Sequence, residues 1–186
     1  MDNDCLRKRW QRAFGVALPI GFSCRESLGD LWLRIHSLSG SKRYADTEEE
    51  RAEILLRHNS AADFLLGNGN RCVLFITIFG KSKKWDSSNE IQVDGLNFMH
   101  MMSHHGNHGD LEFFSTEIVW QTGAFDKLIL SVADDKTWPI CFANISSRNV
   151  YAPYDGGADL FFSSGADVAS ARGHFAQWIS ERQDGL

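Results

Sequence analysis

Apolar positions recur along this chain at two spacings, and these divide it into helices and strands. Leu6, Trp10, Ala13 and Phe14 fall at helical spacing and predict a short helix over residues 5–17, limited by Gly15 and Pro19. Alternation then takes over. Leu31, Leu33 and Ile35 fall on one face of a predicted strand over 31–38, with Trp32, Arg34 and His36 on the other. Thr47-Glu48-Glu49-Glu50 fits a capping box: a hydroxyl for the unpaired backbone N–H groups and a glutamate that reaches back. The glutamates also suit the positive end of a helix dipole. Ile54, Leu55, Ala62 and Leu65 continue that helix as an apolar stripe, and Gly67-Asn68-Gly69 ends it.

Residues 72–79 are almost wholly apolar, with β-branched and aromatic side chains. Such a strand is covered on both faces. Strand, helix and strand in this order can form a right-handed βαβ crossover. The next stretch, 81–110, is polar, glycine-bearing and poorly periodic. It is predicted as a long loop, with Ile91-Gln92-Val93 as its one short strand. A strand meander follows over 111–120, 127–133, 139–145, 150–152 and 159–162. A final helix is predicted over 166–182, with Val168, Arg172, Phe175, Trp178 and Ile179 on one side. Strands outnumber helices in the second half. The fold class is therefore α+β, a mostly antiparallel sheet with helices packed on it, in a single domain over residues 1–186.

Composition agrees with a folded core. The chain has 186 residues, 43% hydrophobic and 23% charged, with 13 Phe and 6 Trp to supply buried area. The net charge of −5 argues against general nucleic-acid binding, which depends on cations neutralising phosphates. Cys5, Cys24, Cys72 and Cys141 contain no C-x-x-C pair, so a zinc ribbon or thioredoxin-type motif is excluded. The polar N-terminus lacks the apolar core of a secretory signal, and no apolar run approaches the ~20 residues of a spanning helix. A cytoplasmic protein without membrane contact is the expectation.

Two clusters could carry chemistry. His100, His104, His105 and His108 are followed by Asp110 and Glu112, the donor set for zinc or another divalent metal. His100 and His104 would share a face if 97–105 were helical, but Gly106 and Gly109 favour a loop. The spacing matches no metalloenzyme motif, and an exposed histidine-rich loop explains it equally. The second cluster is Tyr154-Asp155-Gly156-Gly157-Ala158-Asp159. Asp-Gly and Gly-Gly are hairpin signals because they tolerate positive φ. Asp155 and Asp159 could act as paired carboxylates, but turn geometry accounts for them as well. On that view Asp155→Ala loses stability before any specific function. Gly67-Asn68-Gly69 stops a helix rather than cradling a phosphate, and no G-x-S-x-G elbow is found. Lys81, Lys83, Lys84 and Trp85 form a small basic–aromatic patch.

The stretch Asn149-Val150-Tyr151-Ala152-Pro153-Tyr154-Asp155-Gly156-Gly157-Ala158-Asp159-Leu160-Phe161-Phe162 is followed by Phe175-Ala176-Gln177-Trp178-Ile179-Ser180 and Gly185-Leu186. It resembles a bacterial domain family of unknown function, identified as domain of unknown function three-eight-eight-five. A Tyr-Asp turn, an aspartate and a final helix with a tryptophan recur there. The better-known form of that turn runs Tyr-Asp-Asp-Arg-Gly-x-Asp. This chain is one residue shorter and lacks the arginine, which weakens any role that needs it. The helix over 44–66 and the strand over 72–79 resemble the family's first half. The resemblance implies a bacterial cytoplasmic protein and supplies no activity. Small acidic bacterial proteins of this kind are often immunity proteins, partners of secreted toxins.

Three functions follow as expectations. The first is a non-catalytic binding protein, most concretely an immunity protein that neutralises a toxin by direct contact. Asp46, Glu48, Glu49, Asp134 and Asp135 would steer a basic partner, with Tyr154 and Asp155 as further contacts. It needs no cofactor. The second is a metal-dependent enzyme on the histidine segment, with Asp110 or Glu112 as ligand or base. The third is a structural or assembly protein using an exposed sheet edge or aromatic patch.

Overall fold

A computed structural model describes residues 3–80 and 90–180. An eight-stranded sheet runs through the molecule in the order β1-β8-β7-β6-β2-β5-β4-β3, antiparallel between every pair of neighbours. The strands are β1 (Trp32–His36), β2 (Arg71–Phe79), β3 (Glu90–Val93), β4 (Leu96–Gly106), β5 (Gly109–Val119), β6 (Ile140–Asn144), β7 (Asn149–Tyr154) and β8 (Gly157–Phe161). Helices α1 (Asn3–Phe14) and α2 (Gly21–Leu28) cover one face. Helices α3 (Glu48–Leu66), α4 (Asp126–Ala133) and α5 (Gly165–His174) cover the other. The α+β class and the antiparallel sheet are as the sequence predicts.

Two cores result from strand alternation. Leu74, Ile76, Phe114, Phe142, Tyr151 and Leu160 face α3–α5. Val73, Phe75, Phe113, Cys141, Val150 and Phe161 face α1 and α2. β2 is covered on both faces, which explains its unbroken apolar run.

The cap forms at Thr47, with the returning glutamate bond one residue earlier than in the standard box. Thr47 Oγ1 accepts from the Glu50 N–H at 3.2 Å, while the Glu50 carboxylate reaches back to the Asp46 N–H at 2.7 Å. At the other end of α3, Gly67 takes a φ of 77°, and Asn149 and Asn144 donate to the free Leu65 and Leu66 carbonyls.

Several boundaries differ from the sequence reading. β1 and β2 run in the same direction and α3 joins them, but β8, β7 and β6 stand between, so no parallel ladder forms. The predicted loop over 81–110 contains β3, β4 and the start of β5, while residues 81–89 lie outside the described residues. Asp94 (φ 48°) and Gly95 (φ 80°) close a tight two-residue hairpin between β3 and β4. A register shift between His100 and Met102 breaks the alternation of β4, which hides it from a period-two search. The predicted strand over 127–133 is α4: Leu128, Ile129, Val132 and Ala133 are its buried positions, at helical spacing. The last helix ends at His174, before Phe175, Trp178 and Ile179. There Phe175 and Trp178 stack at 5.2 Å, and the Trp178 carbonyl accepts from His36 N–H at 2.7 Å on the open edge of β1. α2 was not anticipated.

Candidate functional site

Alternation along β1, β7 and β8 places Trp32, Arg34, Ala152, Tyr154 and Asp159 on the face that α2 only partly covers. Arg34 and Asp159 are direct cross-strand partners. Asp159 is 4% exposed. A buried carboxylate must be paired, and here Trp32 Nε1 and Arg34 Nε both donate to its Oδ1 at 2.9 Å. Arg25, from α2, brings its guanidinium to 3.7 Å from Oδ2. The first residue of α2 is Gly21, where a Cβ would stand 3.4 Å from Asp159 Oδ2 and from Ala152 Cβ, so the helix sits tight against the carboxylate.

Above this pair lies a cleft of about 220 Å³, walled by Phe22, Phe79, Ile140 and Pro153 and floored by Arg34, Tyr154 and Asp159. The Arg34 guanidinium carbon lies over the Trp32 ring at 5.3 Å and over the Tyr154 ring at 4.9 Å. Burial pushes the Tyr154 phenol up to about 12 against the opposing pull of Arg34, so it stays protonated.

Tyr154 and Asp159 belong to the predicted turn, and the hairpin is there: Tyr154 pairs with Gly157, leaving Asp155-Gly156 as the loop. Neither loop residue takes a positive φ, contrary to expectation. The glycine requirement lies at Gly157, where a Cβ would stand 2.0 Å from the Ile35 carbonyl oxygen. Asp155 and Asp159 point to different surroundings. Asp155 accepts from the Tyr44 hydroxyl at 2.9 Å and lies 3.5 Å from Arg43 Nε, at the surface. The two carboxylates do not form a catalytic pair.

The turn carries the resemblance noted above, and the comparison with family models agrees with it. The model for Domain of unknown function (DUF3885) matches residues 20–183. The chain belongs to this family. No curated protein and no solved structure matches it. In this DUF3885 chain Arg43 lies beside Asp155, and Arg25 and Arg34 lie beside Asp159.

The histidines are divided rather than gathered. His100 lies 2.8 Å from the Glu112 carboxylate, which also accepts from Ser103 Oγ at 2.5 Å. His105 pairs with Asp110 at 2.6 Å on the same face, whereas alternation turns His104 to the other. His108 packs on Phe22 and lies 3.2 Å from Glu26 of α2. Among the described residues no group of three or more His, Cys, Asp and Glu side chains is placed to hold a metal ion.

The acidic candidates come together at one end of the molecule. The first turn of α3 and the segment before it carry Asp46, Glu48 and Glu49, which are exposed. Asp134 is tied to Arg51 of that turn at 3.1 Å and to Lys136 at 2.9 Å, with exposed Asp135 beside it. Asp46 pairs with Lys42 at 2.8 Å. The Tyr44–Asp155 bond joins the β7–β8 turn to the same surface. Lys81, Lys83, Lys84 and Trp85 lie outside the described residues.

One further line of polar groups resembles a nucleophile and base. Ser37 Oγ lies 2.8 Å from His58 Nε2, and His58 Nδ1 lies 2.6 Å from the Tyr151 hydroxyl. All three are fully buried, so no substrate reaches the serine. Burial pushes the His58 imidazole down to about 4, with the Arg57 charge adding to the effect. The line ties α3 to β1 and β7.

Sequence reasoning missed Arg25, Arg34 and Trp32 as a group. The available signal was Asp159 itself, one charge inside the apolar run Ala158 to Phe162, which demands a buried cation somewhere in the chain.

Proposed function

We propose that this DUF3885 chain is a non-catalytic binding protein, most concretely a bacterial immunity protein that neutralises a basic toxin domain by direct contact. The supporting observation is a set of acidic side chains from separate segments near the start of α3: Asp46, Glu48 and Glu49 there, Asp134 held by Arg51 with Asp135 beside it, and Asp155 held by exposed Tyr44. Within it, the Glu48 charge is partly offset by Arg51, while exposed Glu49 and Asp135 form no ion pair among the described residues, so negative charge remains to steer a cationic surface. The Ser37–His58–Tyr151 line is sealed in the core.

Coexpression with the toxin encoded beside its gene tests the reading. Cells survive, and the purified proteins form a complex. Reversing Glu48, Glu49 and Asp135 to lysine slows association by about tenfold or more at low salt and flattens its salt dependence, while the melting temperature falls by only a few degrees from the lost helix-dipole interaction. A chain that neither rescues the cells nor binds the toxin removes the proposal.

A further inference from the structure

The cleft above Asp159 has a chemistry that the acidic surface does not share. Two guanidinium groups face one carboxylate, so the lining carries a surplus positive charge. Glu26, on the same helix as Arg25, is turned to His108, and Asp155 is turned to Arg43 and Tyr44. Hydrogen-bonding capacity is also left over. Among the described residues Arg34 hydrogen-bonds only through Nε, to Asp159, leaving both terminal nitrogens. Arg25 approaches Asp159 no closer than 3.7 Å and makes no hydrogen bond among the described residues. The Tyr154 hydroxyl has no hydrogen-bond partner among them either, and its burial keeps it a donor. All three groups line the same cleft, whose walls are apolar: Phe22, Phe79, Ile140 and Pro153.

We propose that this cleft binds a small carboxylate carried on an apolar body, the carboxylate meeting Arg25, Arg34 and Tyr154 and the body lying against Phe22 and Phe79. The physical reasons are specific. A guanidinium held by Asp159 and lying over the Trp32 and Tyr154 rings is already restrained, so less side-chain freedom is lost on binding. A planar two-oxygen anion matches its two remaining nitrogens. The volume of about 220 Å³ is below that of drug-sized pockets and suits one aromatic or branched aliphatic group. Asp159 does not compete for the ligand. It holds Arg34 and Trp32 in place, as a positioning residue.

The chemistry is shared by a free acid and by the C-terminal residue of a peptide, and the test separates them. Titration of the full chain with 3-phenylpropionate, followed by amide NMR, gives saturable one-to-one binding with shifts at Phe22, Arg25, Arg34 and Tyr154. The neutral 3-phenylpropionamide binds at least tenfold more weakly, and inorganic phosphate at least tenfold more weakly. Arg25→Gln, on a partly exposed helical position, weakens binding tenfold or more while Tm stays within a few degrees, and Tyr154→Phe gives a smaller loss. A phenylalanine-ended peptide with a free C-terminus that binds more tightly than the free acid assigns the ligand to a chain end; the reverse assigns it to a small acid. Absence of saturable binding at millimolar 3-phenylpropionate overturns the proposal. So does equal binding of acid and amide, equal binding of phosphate, or an Arg25→Gln variant that binds like the unaltered chain. The outcome does not depend on whether the acidic end binds a toxin.

Discussion

At Gly157 a side chain has nowhere to go. A Cβ would stand 2.0 Å from the Ile35 carbonyl oxygen and 2.9 Å from the Tyr154 hydroxyl, and the first of these is backbone held in the β1–β8 ladder. Gly157→Ala must therefore part the two strands or bend the hairpin. It is expected to cost about 3 kcal/mol and to lower Tm by roughly 10 °C. Asp155 is a different case. Its contacts to Tyr44 and Arg43 are at the surface, where ion pairs and hydrogen bonds contribute little, so Asp155→Ala should move Tm by no more than about 2 °C. Thermal melts of the two variants side by side decide the matter. An Asp155→Ala loss as large as that of Gly157→Ala would contradict it. The turn itself was legible in the chain, because Asp-Gly and Gly-Gly punctuate two apolar runs. Which glycine is indispensable was not, because the obstacle is a carbonyl more than a hundred residues away in sequence.

Helix α3 shows how a well-marked element can still hide what it buries. Its start was legible from Thr47 and Glu50, and its stop from Gly67, because caps are local chemistry. The role of His58 inside it was not, since only the packing of α3 on β7 brings the imidazole to Ser37 and Tyr151. α4 is ambiguous in the sequence for a related reason: a short run such as Leu128-Ile129-Leu130 suits a buried strand or a helix face equally. The burial of His58 has a consequence for the whole element. Unfolded, its imidazole takes a proton below about 6.5; folded, only below about 4. Between these values the unfolded chain binds more protons, so stability falls as pH falls through that window and is fully present above it. The gap corresponds to roughly 3 kcal/mol. Urea denaturation of the unaltered chain and of His58→Gln at pH 7.5 and pH 4.5 isolates this contribution, since every other titrating group is common to both. The unaltered chain should lose more stability on acidification by about that amount; equal losses would show that His58 does not titrate in this way.

Across the whole molecule, the sheet is assembled from distant pieces, and α1 is fastened to its centre. β1 pairs with β8, the last strand among the described residues. Pairings of that range leave no mark in a local pattern, which is why the fold class was legible and the strand order was not. The family match covers residues 20–183 and so leaves α1 outside it. Yet Leu6, Trp10 and Phe14 are buried, and the Trp10 ring meets Phe75 of the central strand edge-on at 5.0 Å. Trp10 Nε1 also donates to the Ala17 carbonyl at 2.6 Å, fixing the approach to α2. Burial of three such side chains contributes roughly 6 kcal/mol, comparable with the total stability of a domain. A chain shortened to residues 20–186 would expose Phe75, Phe113 and Leu111 on one face of β2 and β5. It should bind a hydrophobic dye, lose its near-ultraviolet circular dichroism and associate in gel filtration, although the family match remains whole. If the shortened chain instead melted cooperatively within a few degrees of the full one, the second core would have to be held by α2 alone.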